Sequence, residues 1–223
     1  MKKKKGKRKI SILKILILFL IIYLLITCIY KLVTMPIKNI YVIGNTYIKD
    51  KYIIEIAGLE EYPPFFLTTS RNIYKKIKND NLILNVKVKK TPFSIYLYIE
   101  ENIPLFYNKI TDKLVLKDGT SIDEIYNAPT LNNYIPDTIY NEFIEKMGNV
   151  EIDVLKRISE IEYKPNDVDT ERFYLLMNDG NIIYLTLDDF LKINNYIETL
   201  KILNGSKGIL YWDSGNYFEL IKK

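Results

Sequence analysis

The side chains best suited to chemistry are scarce in this chain and poorly spaced for it. There is no histidine among the 223 residues, which removes the commonest general base and metal ligand. The one cysteine, Cys28, lies inside an apolar run, so neither a thiol nucleophile nor a cysteine metal site is expected. Acidic neighbours occur at Asp188-Asp189, at Glu100-Glu101 and at Asp167 with Asp169. A glycosidase needs two carboxylates about 5–9.5 Å apart across a cleft. Adjacency along the chain does not provide that, and these acids are expected to be solvated at strand ends and in loops. Ser206-Lys207 is nominally a serine-lysine pair, but within Gly205-Ser206-Lys207-Gly208 it is expected to shape a turn, and the tetrapeptide lacks the Walker spacing. No enzyme, metal, cofactor or small-molecule substrate is therefore expected.

What remains is binding. Tyr211, Trp212, Tyr217 and Phe218 gather around Asp213-Ser214-Gly215-Asn216 near the C-terminus, and aromatic side chains supply large contact areas at low entropic cost. Strand alternation puts Tyr217 and Glu219 on one face and Phe218 and Leu220 on the other. The backbone edge of Tyr217, Phe218, Glu219, Leu220 and Ile221 is expected to receive a partner strand by β-augmentation, with Tyr211 and Trp212 as candidate anchors. Packing in the core is the competing reading for any single one of these aromatics.

The elements that carry this surface begin with a membrane anchor. Ile15 to Tyr30 is free of charged side chains, and Ile10–Leu13 and Leu32–Val33 extend the apolar stretch past Lys14 and Lys31. At 1.5 Å per residue, about twenty residues cross a hydrocarbon core of about 30 Å. Lys2, Lys3, Lys4, Lys5, Lys7, Arg8 and Lys9 precede the run without an acid, which places the N-terminus in the cytoplasm. Competing readings are a cleaved signal peptide, disfavoured by the long run and the lack of an A-x-A-like site, and a lipoprotein signal at Leu25-Ile26-Thr27-Cys28, where Thr27 is bulky. Residues 1–31 hold nine of the 32 basic residues and none of the 27 acidic ones. The remainder therefore has 23 basic against 27 acidic side chains and offers no nucleic-acid-binding face.

Beyond the break at Met35-Pro36, residues 37–43 alternate as a strand closed by Gly44-Asn45. Residues 49–57 read as a short helix capped by Gly58, and Phe65, Phe66 and Leu67 are expected to tuck under the domain. Ser70 is expected to cap a helix over 71–79, with Ile73 and Ile77 on one face. Residues 84–90 and 93–100 alternate as two strands. The order strand, helix, helix, strand, strand makes an α+β unit that buries one sheet face under two helices.

A second unit starts at Ile103-Pro104. Its strands are expected at 105–108, around the Asp118-Gly119 turn, at 161–163, and on both sides of Asn178-Asp179-Gly180. Residues 138–147 read as a helix, and Val154, Leu155 and Ile158 suggest a shorter one. A single helix over 189–203, with Phe190, Ile193, Ile197, Leu200 and Ile202 or Leu203 as its buried stripe, ends at Gly205 and Gly208. Strands at 209–212 and 217–221 follow.

A basic tail, one span, then Ile37-Lys38-Asn39-Ile40-Tyr41-Val42-Ile43-Gly44-Asn45, Tyr47-Ile48, Ile53, Gly58, Asn85-Val86-Lys87-Val88 and Tyr98-Ile99-Glu100-Glu101-Asn102-Ile103-Pro104 together resemble the bacterial cell-division family FtsQ, called DivIB in Gram-positive bacteria. The resemblance implies a fold class of α+β: an N-terminal transmembrane helix, a POTRA-like (polypeptide-transport-associated) β-α-α-β-β domain and a second α+β domain with a curved, mostly antiparallel sheet. The expected boundaries are a cytoplasmic tail at 1–11, a span at 12–34, the POTRA-like domain at 36–102 and the second domain at 103–223. It further implies a non-enzymatic divisome scaffold, single-pass and type II, at the septum. Its partners would be FtsL-like and DivIC/FtsB-like bitopic coiled-coil proteins, with lipid around the span. The alternatives are a POTRA-type adaptor in export or envelope assembly, and an envelope glycan-binding or hydrolytic protein.

Overall fold

A computed structural model describes residues 12–221; the basic tail expected at 1–11 lies outside them. The chain folds into two units. One holds the chain up to Ile43, Asp50–Asn79 and Val86–Ile99; the other holds Gly44–Lys49, Asp80–Asn85 and the chain from Glu100 onward.

The first unit opens with α1, Ile12–Val33, in which no side chain is buried. Its 22 residues span about 33 Å, enough to cross a hydrocarbon core. Among the described residues it is the one helix long and apolar enough to do so. Then come β1 (Asn39–Ile43), α2 (Asp50–Ile56), α3 (Ser70–Lys78), β2 (Ile83–Thr91) and β3 (Ser94–Glu101). The sheet order is β1-β3-β2, with β1 parallel to β3 and Tyr41 opposite Tyr96. The alternation of β3 buries Ile95, Leu97 and Ile99, while α2 and α3 bury Ile53, Ile73 and Ile77. Gly58 closes α2 at φ +68°, a conformation glycine adopts without penalty.

Two local expectations are corrected here. The cap of α3 is Thr69, whose hydroxyl accepts from Asn72 N at 3.3 Å, and Ser70 is already helical. Phe66 and Leu67 do not tuck under the domain: they are 50% and 64% exposed, on a turn that Pro64 O closes by accepting from both Leu67 N and Thr68 N.

The second unit contains β4 (Pro104–Asn108), β5 (Lys113–Leu116), β6 (Ser121–Ile122), β7 (Thr130–Leu131), α4 (Asp137–Gly148), α5 (Ile152–Leu155), β8 (Ile158–Tyr163), β9 (Arg172–Met177), β10 (Ile182–Thr186), a 3-10 helix (Phe190–Asn195), α6 (Tyr196–Leu203), β11 (Gly208–Tyr211) and β12 (Tyr217–Leu220). One sheet of nine strands runs β12-β11-β10-β9-β8-β7-β4-β5-β6. Neighbours are parallel at β10/β11, β4/β7 and β7/β8 and antiparallel elsewhere, so the sheet is mixed with an antiparallel majority. Under it Phe143 of α4 stacks on Phe173 of β9 at 4.9 Å and meets Phe190 edge-on at 5.5 Å, all three fully buried.

Three further expectations are corrected. The helix expected over 189–203 is a 3-10 helix followed by α6. At three residues per turn, Phe190, Ile193 and Tyr196 fall in line and are all fully buried, whereas Ile202 is left 82% exposed. Gly208 does not close the helix, which ends on left-handed Asn204; it is the first residue of β11. Glu101 is not solvated. It is buried, and its carboxylate accepts from Thr46 N and Oγ1, Tyr47 N and Ile48 N at 2.6–3.0 Å, turning the backbone of 46–48 into a nest for one negative charge.

Candidate partner-binding edge

The C-terminal hairpin stands at one end of the nine-stranded sheet, with β12 as the edge. Its turn uses Gly215 at φ +121° and Asn216 at φ +57°, conformations that glycine and asparagine adopt at low cost. The turn is fixed from β9: Arg172 Nε donates to Asp213 Oδ2 at 2.6 Å in a pair whose aspartate side chain is 3% exposed. The guanidinium also lies 3.8 Å from the centroid of Tyr184.

Register brings four tyrosines from four strands into one row. Tyr174 faces Tyr184, Tyr184 faces Tyr211, and Tyr211 faces Tyr217. Ring centroids are 5.5, 5.5 and 4.5 Å apart, the last two pairs being stacked. Cross-strand aromatic pairs of this kind stabilise a sheet by about 0.2–1 kcal/mol each. Burial, then the hydrogen bond to Glu219 Oε2 and its charge, raise the Tyr211 phenol above its ordinary value, so this phenol stays neutral at physiological pH.

The hairpin's other face opens on a groove of about 440 Å³ whose walls include Lys192, Thr199, Leu203, Leu210, Trp212 and Phe218. A buried polar chain ties the start of β11 to the neighbouring elements. Asn181 Oδ1 accepts from Gly208 N at 2.9 Å, Asn181 Nδ2 donates to Tyr196 Oη at 3.0 Å, and Tyr196 Oη donates to Asp179 at 2.7–2.8 Å. Burial, and then the bond to Asp179, push the Tyr196 phenol well above its usual value. Gly208 must be glycine here, because a Cβ would meet the Glu219 carbonyl and come within 2.7 Å of the Phe218 ring.

The sequence-derived candidates separate clearly. Tyr217, Leu220 and Ile221 are exposed at 50%, 61% and 47%, Glu219 is exposed, and Phe218 and Tyr211 are half-buried. Trp212 is 7% exposed and belongs to the core, a correction to its candidacy as an exposed anchor: the backbone of Trp212 continues β11, with its N–H on Tyr184 O, and turns the indole inward. Ile221 N donates to Lys207 O, and Glu219 and Tyr217 register with Ile209 and Tyr211. By antiparallel alternation the amides and carbonyls of Phe218 and Leu220 then point away from β11, along the outer edge. Sequence reasoning missed Arg172, Tyr174, Tyr184, Asn181 and Tyr196, which build this edge from distant parts of the chain.

Known proteins resemble the chain over nearly its whole length. The family model described as "POTRA domain, FtsQ-type" matches residues 35–102. The cell division protein DivIB of Bacillus cytotoxicus is 29% identical over an alignment covering 98% of this chain and 90% of the relative. For DivIB of Bacillus subtilis the figures are 27%, 98% and 85%. The major extracytoplasmic domain of the trans isomer of DivIB from Geobacillus stearothermophilus superposes with a TM-score of 0.39 and 22% identity, covering 47% of this chain and 96% of that one. The chain is thus of the class that carries one apolar N-terminal helix ahead of an FtsQ-type POTRA domain. Residues 35–102 match the FtsQ-type POTRA family, and over nearly its whole length the chain is similar to proteins named cell division protein DivIB.

Proposed function

We propose that this protein serves cell division as a non-enzymatic scaffold, binding FtsL-like and DivIC/FtsB-like bitopic coiled-coil proteins and so helping to regulate septal peptidoglycan synthesis. The division role follows the name its relatives carry. The proposed topology is single-pass and type II: residues 1–11 in the cytoplasm, 12–34 in the membrane, and the POTRA-like 36–102 and the second domain 103–223 outside, at the septum. The partner site is the outer edge of β12 (Tyr217, Phe218, Glu219, Leu220, Ile221), flanked by Tyr211, with Trp212 lining the groove from within.

The single observation carrying this reading is that β12 ends a nine-stranded sheet with Phe218 and Leu220 free to pair outward, beside a groove able to take alternate side chains of an added strand. Photo-crosslinking in living cells tests it, with probes at Tyr217 and Glu219 and a control at Lys113. Capture of a small bitopic coiled-coil division protein at the two strand positions and not at the control supports the reading. Capture of export-machinery proteins alone, or equal capture at all three positions, overturns it.

A further inference from the structure

The chain leaves α1 and enters the folded part of the first unit within two residues. Phe65 N donates to Met35 O at 2.8 Å, Pro36 bridges Pro64, and Ile37 N donates to Pro63 O at 3.1 Å. A second loop meets the same exit segment: Lys38 N and Asn39 N both donate to Phe93 O, at 2.7 and 3.3 Å. Two turns, 62–68 and 91–94, are therefore stitched by backbone bonds to the stretch that begins where the helix ends.

Both turns present apolar surface there. Phe65, Phe66 and Phe93 form a ring triad with centroids 5.3–6.2 Å apart. Tyr62, Phe66 and Leu67 are 48%, 50% and 64% exposed, and Met35 is 40% exposed. This is built structure, since Lys90 Nζ donates to Phe65 O at 2.8 Å and Thr68 O at 2.6 Å, and Thr68 Oγ1 donates to Pro64 O at 2.9 Å. Tyr62 and Phe93 are held at φ +46° and +57°, conformations that cost a bulky residue energy.

Distance decides what covers the patch. Two residues of chain reach at most about 7 Å beyond the last helical turn. The zone between hydrocarbon and bulk water is about 5–8 Å deep on each side of a bilayer. Aromatic side chains concentrate in that zone, and lysines there meet lipid phosphates; Lys31 in the last turn of α1 and Lys38 over the Phe93 ring supply the cations. We propose that Phe66 and Leu67, with Tyr62 and the Phe93 turn beside them, form a membrane-interface foot that seats the first unit on the outer leaflet around its own span.

The test uses the full chain in phospholipid vesicles, with Cys28 replaced by alanine and single spin labels at Leu67, at Leu20 in α1, and at Lys78 at the far end of α3. Collision with dissolved oxygen and with a water-soluble nickel chelate reads the depth of each label. We expect the Leu20 label deep in lipid, the Leu67 label shielded from the chelate several-fold relative to Lys78, and a Phe66→Glu substitution to abolish that shielding. The foot is refuted if Leu67 is as open to the chelate as Lys78 while Leu20 is in lipid. It is equally refuted if Lys78 is shielded as much as Leu67, which means general adsorption, or if shielding at Leu67 appears only when a second protein is added, which assigns the patch to that protein.

Discussion

Glu101 shows what a single side chain contributes. Three successive backbone N–H groups and a hydroxyl converge on its buried carboxylate, and without it those donors lose their common acceptor, the Ile48 N–H in a buried position. Glu101→Ala is expected to destabilise the second unit by at least about 2 kcal/mol, read from urea unfolding, whereas Glu100→Ala, on the exposed face of the same strand, is expected to be near neutral. Tyr196 is different because its bond depends on a proton. Its phenol is raised in the folded state, so its contribution is complete below the unfolded value of about pH 10 and is lost as pH climbs above it. Tyr196→Phe should cost about 1 kcal/mol at pH 7 and flatten the fall in stability above pH 10, in urea titrations at both pH values. Neither role was legible in advance. An acid next to another acid reads as solvated, and a tyrosine between two asparagines and an isoleucine carries no sign of the Asp179 it will meet.

At the scale of elements, alternation told most. The strands 83–91 and 94–101, the hairpin at 172–186 and the hydrophobic face of α3 all follow from period and turn residues. What failed was whatever depended on how an element continues. The apolar spacing in 189–203 fits an α-helix almost as well as the 3-10 segment that actually starts it, and the choice is made by packing of Phe190 against Phe143 and Phe173. The tyrosine row was present as four residues in the sequence but invisible as a row, because only register makes Tyr174, Tyr184, Tyr211 and Tyr217 neighbours. Register also supplies a sharp test of the edge. Proline at 220 removes an outward N–H and leaves the β11–β12 ladder intact, whereas proline at 219 removes a bond within the hairpin. Leu220→Pro is expected to abolish partner capture with the fold's melting temperature nearly unchanged; Glu219→Pro should lower both. If Leu220→Pro folds and still captures partner at the normal level, strand addition at this edge is wrong. Phe143→Ala, by contrast, should unsettle the element packing itself, costing about 3–5 kcal/mol in chemical unfolding.

At the scale of the whole molecule, charge and hydropathy are segregated along the chain, and that much was legible from the outset. Nine basic residues and no acid occupy the first 31 positions, the bias from which the proposed orientation is argued. Cysteines placed at Ile125 and Val168, which are 90% and 87% exposed, should react with an impermeant maleimide in intact cells, and one at Gly6 should react only after lysis. The reverse pattern would invert the topology. What composition did not reveal is that apolar surface is also left on the folded part, at Phe66 and Leu67, because a residue count cannot tell an exposed leucine from a buried one.

The position of Trp212 has one more consequence. It is the only tryptophan in the chain, it is held inside the core, and its ring lines the groove beside β12 while its carbonyl oxygen lies 3.5 Å from Lys192 Nζ. The protein therefore carries its own optical gauge at the place where a partner would dock. When a strand settles on the edge and fills the groove, the indole loses what water it still meets and its emission shifts to shorter wavelength, so binding can be followed by light on the unlabelled, unmodified chain.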